Sequence, residues 1–155
     1  MSDHHSRISL PDEAATAAFA ARLARALKPG MVIWLRGDLG AGKTTLARAL
    51  LRALGYAGKV KSPTYTLMEP YEIGELQLRH FDLYRFQDEE EWEAAGFRDE
   101  FNERNICLIE WPEKAAEHVP QADVELFLTE APQGRHLACR ANTRMGRECL
   151  DSLPN

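Results

Sequence analysis

The chain predicts an α/β fold: a mostly parallel central sheet, antiparallel additions and flanking helices. Three observations carry this. Met31-Val32-Ile33-Trp34-Leu35 is a short apolar run of the kind that forms a buried strand. Gly37-Asp38-Leu39-Gly40-Ala41-Gly42-Lys43-Thr44 follows it and satisfies G-x-x-x-x-G-K-[ST] at every fixed position. Leu46, Leu50 and Leu54 then recur at a spacing of four, one apolar stripe of a helix running from Thr44 to Leu54. Strand, glycine-rich loop and helix in that order are the context that a phosphate loop requires. The expected class is therefore a P-loop NTPase domain.

The remaining elements follow in order. Arg7 to Leu10 reads as a short strand. Asp12 is placed to cap a helix whose Phe19, Leu23 and Leu27 share one face, and Lys28-Pro29-Gly30 ends it. Gly55 stands where a helix stops in the left-handed conformation. Pro63 holds Ser62 extended, and Tyr65-Thr66-Leu67-Met68 has strand propensity. Glu72-Ile73-Gly74-Glu75 reads as a hairpin turn, with Leu76 to Leu83 returning antiparallel. Gln87 to Phe97 is an acidic helix, either a solvated face or a docking surface. Ile106-Cys107-Leu108-Ile109-Glu110 is continuously apolar until its last residue, the pattern of a central strand buried on both faces. Pro112 suits the first turn of a short helix through Ala116. Val124 to Thr129 and His136 to Arg140 are two late strands joined at Pro132-Gln133-Gly134.

Composition bounds the function. The 155 residues are most simply one domain, residues 1–155, with residues 1–6 and about 142–155 as frayed ends. Apolar content of 45% and charged content of 28% are ordinary for a soluble globular protein. A net charge of −5 argues against a general nucleic-acid-binding surface. Arg135, Arg140, Arg144 and Arg147 gather late, in a tail that reads as a local patch or, more simply, as a solvated, frayed end. Cys107, Cys139 and Cys149 are odd in number and lack C-x-x-C spacing, which points away from both a disulfide framework and a zinc site. The N-terminus lacks an apolar signal segment and no run approaches membrane-spanning length, so a cytoplasmic location is expected.

The chemistry of the loop is that of its backbone. Glycines let main-chain N–H groups close around a phosphate, and the helix behind adds its positive end. Lys43 supplies a charge for the outer phosphates and Thr44 a hydroxyl for magnesium. Ligands of open α/β sheets sit outside the carboxyl ends of the strands, and Glu110 lies at such an end. It can reach the magnesium directly, reach it through water, or orient an attacking water; a solvent-facing strand end is the plainer account. In His80-Phe81-Asp82-Leu83-Tyr84-Arg85, alternation puts His80, Asp82 and Tyr84 on one face. Asp82 is the second candidate carboxylate, against a hydrogen-bonded cluster that only stiffens the strand. His80 by itself reads as a structural histidine. Ser62-Pro63-Thr64 lies where many phosphate-loop enzymes place a γ-phosphate-sensing loop, although an ordinary turn has the same spacing. Trp111 follows Glu110 and either stacks on a ligand or packs.

Taken together, Gly37 to Thr45, Ser62-Pro63-Thr64-Tyr65-Thr66-Leu67, His80-Phe81-Asp82-Leu83-Tyr84-Arg85 and Ile109-Glu110-Trp111-Pro112 resemble the bacterial TsaE family. Leu10-Pro11-Asp12-Glu13 and Gly134-Arg135 also look like that family, so the resemblance runs from about Leu10 to Arg135. It implies small ATPases needed for threonylcarbamoyladenosine modification of tRNA. The nucleotide would be ATP with Mg2+, and hydrolysis would be weak alone and linked to a TsaB–TsaD complex. TsaD transfers the threonylcarbamoyl group to adenosine 37 of tRNAs reading codons that start with A, so tRNA would be met indirectly. The resemblance carries Gly37 to Thr45, Pro11, Trp111 and Arg135 over as nucleotide contacts. Thr44, Asp82 and Glu110 carry over as the magnesium set, with Asp82, Glu110 and Thr64 as the catalytic group. A small-molecule kinase is the main alternative, but no arginine-bearing lid stands out. A non-hydrolysing ATP-dependent scaffold is another. No [NT]-K-x-D sequence occurs, which argues against a GTPase.

Overall fold

The computed structural model describes residues 4–38 and 40–153. In chain order these form β1 (His4–Leu10), α1 (Glu13–Ala26), β2 (Val32–Arg36), α2 (Lys43–Leu54), β3 (Met68–Ile73), β4 (Leu76–Asp82), α3 (Glu89–Ala95), β5 (Asn105–Glu110), β6 (Val124–Glu130), β7 (Arg135–Ala141) and α4 (Arg144–Asp151). Short 3-10 turns occupy Phe97–Glu100 and Pro112–Ala115.

The strands make one 7-stranded sheet in the order β1-β7-β6-β2-β5-β4-β3. The four central strands, β6-β2-β5-β4, pair in parallel. β1, β7 and β3 are the antiparallel additions. All six residues of β5 are buried, as befits a strand between β2 and β4 with both faces covered.

Each helix begins on a side-chain cap or a glycine. Asp12 accepts from the Ala15 N–H at 2.8 Å, satisfying one of the free donors of α1. α1 then buries Phe19, Ala20 and Leu23 against the sheet. α2 starts from Gly42 at φ 102°, left-handed backbone open to glycine, and ends on Gly55 at φ 106°. α1, α2 and α4 cover one face over an aliphatic core that includes Leu46, Leu50, Leu51, Ile106, Leu108 and Leu126. The other face carries an aromatic core of Phe81, Trp92 and Phe97, with Phe86 and Phe101 against it.

Four segments depart from the sequence reading. Residues 4–6 are not a frayed end: β1 starts at His4, because His4 to Ser6 pair with Ala141 to Cys139 of β7, while residues 1–3 lie outside the described residues. Tyr65 to Leu67 do not extend β3: Leu67 donates its N–H to Pro63 O at 2.7 Å and sits at φ 68°, so the segment is a turn and the strand starts at Met68. The acidic helix is shorter than Gln87–Phe97, because Asp88 caps it at one end and Gly96 at φ 70° closes it at the other. The chain after residue 142 forms α4 instead of a frayed end. Thr143 caps that helix through the Gly146 N–H at 3.0 Å, and Cys149 and Leu150 enter the aliphatic core. Its other turns are polar, which hides the buried stripe. Among the described residues no helix is long and apolar enough to cross a membrane.

Candidate functional site

β2, β4 and β5 end together beside the N-terminus of α2. Glu110 is paired with Leu35 of β2 on one side and Asp82 of β4 on the other. The parallel register therefore brings two carboxylates, 28 positions apart in sequence, to adjacent strand ends. The turn after β5 has Trp111 at φ 58°, a left-handed conformation that a bulky side chain rarely adopts.

A cavity of about 450 Å³ opens at this end of the sheet. Gly40, Gly42, Lys43, Thr44 and Thr45 line it from the loop and α2, and Asp82 and Glu110 from the strands. Thr64, Trp111 and Arg135 complete the expected residues on its wall. Tyr84 and Arg85 also line it; their place in the same short motif as Asp82 was the available signal.

Lys43 is almost fully buried, at 5% exposure. Its Nζ donates to the Gly37 carbonyl and lies 3.6 Å from the centre of the Trp111 ring. Burial lowers its pKa, against the opposing pull of Glu110, Glu113, Asp82 and Asp38. Burial likewise raises the Asp82 carboxyl, helped by the Glu110 charge and opposed by the Tyr84 N–H, which donates to Asp82 Oδ1 at 3.0 Å. The Thr44 hydroxyl faces Glu110 Oε1 at 3.5 Å. The other oxygen of Glu110, Oε2, accepts from His80 Nε2 at 2.7 Å, a contact between two buried side chains. Sequence alone did not join these two residues.

Arg135 reaches from β7 to the glycine loop. Its Nε donates to Ala41 O at 2.8 Å and its Nη2 to Gly40 O at 3.1 Å. These bonds engage two of the loop carbonyls, and the Ala41 N–H donates within the loop to Asp38 O at 3.0 Å. Gly134 before it is held at φ 74°, and a Cβ there would stand 2.2 Å from Leu10 O. The loop is thus tied to the β1–β7 edge at a place that admits no side chain. At the cavity mouth Tyr84 lies 5.0 Å from Trp111, ring to ring, and Arg85 rests 4.9 Å over the Tyr65 ring. Ser62 and Thr64 share a hydroxyl hydrogen bond of 2.7 Å.

Other expected contacts lie outside the cavity wall. Gly37, Asp38 and Ala41 line a separate hollow with Leu128, Thr129 and Glu130. Pro11 packs beneath Gly134, while its neighbours Leu10 and Asp12 border a third hollow shared with Gly42, Thr45 and Arg135. Leu39 lies outside the described residues. Among the described residues, no three His, Cys, Asp or Glu side chains gather as a metal cage. Thr44, Glu110 and Asp82 offer a partial set of hard oxygen donors instead.

Fold and site together define a single-domain α/β protein whose working end is a strand–glycine loop–helix unit faced by two strand-end carboxylates. Residues 10–137 match the family model described as threonylcarbamoyl adenosine biosynthesis protein TsaE, and the chain belongs to that family. It is 42% identical over 151 residues to the tRNA threonylcarbamoyladenosine biosynthesis protein TsaE of Haemophilus influenzae, covering 94% of this chain and 96% of the relative. The protein of the same name from Bacillus subtilis is 40% identical over 121 residues, covering 78% of this chain and 74% of the relative. The crystal structure of Bacillus subtilis YdiB superposes with a TM-score of 0.78 at 28% identity, covering 98% of this chain and 94% of that one.

Proposed function

We propose that this chain binds ATP with Mg2+ in the cavity at the head of α2, hydrolyses it weakly alone, and couples that hydrolysis to a TsaB–TsaD complex in the cytoplasm. Its contribution to threonylcarbamoyladenosine modification would be to support turnover of that complex, which acts on adenosine 37 of tRNAs reading codons that start with A. One observation carries the reading: Lys43, Thr44, Asp82 and Glu110 converge on one cavity beside a glycine loop whose carbonyls Arg135 engages.

The residues present fit the absent groups. Lys43 is a buried cation held by a single carbonyl and a ring face, which polyphosphate oxygens can replace. Thr44, Glu110 and Asp82 are oxygen donors too few to enclose a metal, which suits a Mg2+ that keeps water and shares phosphate oxygens. Bound there, Mg2+ would supply positive charge to the outer phosphates. The loop N–H groups and the end of α2 bind and orient the phosphates. Glu110 lines the cavity with its Oε1 facing the Thr44 hydroxyl, and would hold a metal-bound or attacking water there. Asp82, on the neighbouring strand end, supports the same oxygen set. Thr64 and Ser62 form a hydroxyl pair at the rim, placed to respond to the outer phosphate.

The net charge of −5 favours a protein partner over free tRNA as the recipient of the nucleotide signal. A nucleotide alters partner affinity only through different contacts in its two states. Affinity for purified TsaB–TsaD should therefore differ among ATP, ADP and no nucleotide, and Thr64→Ala should shrink that difference more than it weakens ATP binding. Equal partner affinity in all three states would remove the switch.

A further inference from the structure

We infer that His80 is a positioning residue for Glu110: its Nε2–H bond to one carboxylate oxygen fixes the other toward Thr44 and the cavity. This rests on the reading that Glu110 serves ATP hydrolysis, and it assigns a role to a histidine that sequence alone left as structural.

On the β3 side His80 is paired in register with Glu69, whose carboxylate accepts from the Thr66 hydroxyl, but along its own strand and on the β5 side its neighbours do not call for a polar group. It is 1% exposed on β4 and is paired in register with Leu108 of β5. Leu78, two positions earlier on the same face, belongs to the aliphatic core, as does Leu108. A leucine would satisfy that packing. A histidine buried only for structure would be expected to satisfy both ring nitrogens. Here Nδ1 is buried without a partner among the described residues, and the ring's hydrogen bond goes to Glu110. The ring proton accordingly belongs on Nε2, where the carboxylate accepts it.

Glu110 is the residue that needs such a bond. A free glutamate has three rotatable bonds and two equivalent oxygens. Anchoring Oε2 at 2.7 Å leaves Oε1 facing the Thr44 hydroxyl at 3.5 Å, on the side where the phosphates are proposed to lie. The arrangement is that of a second-layer partner which orients a ligating or catalytic group without meeting the substrate. Asp82, two residues along, is held separately by the Tyr84 N–H. The two carboxylates are therefore aimed by independent contacts.

The test compares the parent, His80→Leu, His80→Gln, Glu110→Gln and the His80→Leu/Glu110→Gln double variant, each with the TsaB–TsaD complex. Readouts are ATP affinity by calorimetry, thermal unfolding, and kcat for ATP hydrolysis. His80→Leu should keep ATP affinity and lower kcat about tenfold or more. His80→Gln, whose amide can donate from a similar place, should recover most of that loss. In the Glu110→Gln background, His80→Leu should have no further effect on kcat. In the ligand-free protein, 15N-histidine NMR should show a slowly exchanging Nε2–H on His80 that shifts on Glu110→Gln. A His80→Leu protein that is only less stable, with the parent kcat, overturns the inference. So does an additive kcat loss in the double variant, or a His80 Nε2–H indifferent to Glu110→Gln. A parent without ATP hydrolysis would instead overturn the functional reading, and this inference with it.

Discussion

The two faces of β4 and β5 diverge at their carboxyl ends. On one face Phe81, Cys107 and Ile109 belong to the aromatic core to the last residue of each strand. On the other, Leu78 gives way to His80 and then Asp82, and Ile106 and Leu108 give way to Glu110. At their carboxyl ends the strands are thus dry on the α3 side, where the polar Arg79 and Asn105 come earlier and bond to Glu100, and polar on the α2 side, where the glycine loop begins.

The largest expected effect lies on the dry face. Trp92 is 2% exposed and meets the rings of Phe86, Phe97, Phe101 and His118. Trp92→Ala should destabilise the fold by about 3–5 kcal/mol, read by denaturant unfolding, while ATP affinity under native conditions stays near the parent value. A large loss of affinity at full folding would mean that the two faces are not independent.

The polar face should respond in the opposite way. Glu110→Gln and Asp82→Asn should keep nucleotide affinity and lower hydrolysis in the partner complex by roughly 10²-fold. Either variant turning over at the parent rate would take that carboxylate out of the catalytic group.

On the aliphatic face outside the cavity wall, Thr143 caps α4 through the Gly146 N–H at 3.0 Å and donates to Asp123 Oδ1, just before β6, at 2.6 Å. Thr143→Ala should cost about 1 kcal/mol of stability, with hydrolysis unchanged. A loss several times larger would make α4 a greater part of the core than its eight residues indicate.

The smallest effect is a pH dependence. Burial holds the Asp82 carboxyl above its ordinary value of 3.8. The folded state then favours the protonated form, so stability from this group is present at low pH and falls as pH rises from the ordinary value through the raised one. Asp82→Asn should flatten that fall as pH rises above 3.8, measured as unfolding free energy against pH. An unchanged slope would mean that the carboxyl titrates as if exposed.

What could be read from sequence follows from how local each signal is. The loop from Gly37 to Thr44 and the stripe of Leu46, Leu50 and Leu54 are contiguous, and strand, loop and helix are legible from them. β5 announces its central place by an unbroken apolar run. The His80–Glu110 bond spans 30 positions and depends on the parallel register of β4 on β5, which no local pattern reports. Arg135 is similar: its bonds to Gly40 and Ala41 join residues more than 90 positions apart. Tyr65 to Leu67 has strand-forming side chains, but the Leu67 N–H bond to Pro63 O prevails over their propensity. α4 is not legible in the sequence because only Gly146, Cys149 and Leu150 mark its buried side in a mostly polar segment.

The central claim is that the buried amine of Lys43 serves nucleotide phosphates. Calorimetric titration of ATP with Mg2+ into the parent and into Lys43→Ala tests it most directly. The parent should bind one equivalent of nucleotide. The variant should keep its fold and bind weaker by about 1.5–3 kcal/mol, which is about 10- to 150-fold in Kd. Equal affinity in the two proteins, or no binding to the parent, would contradict it.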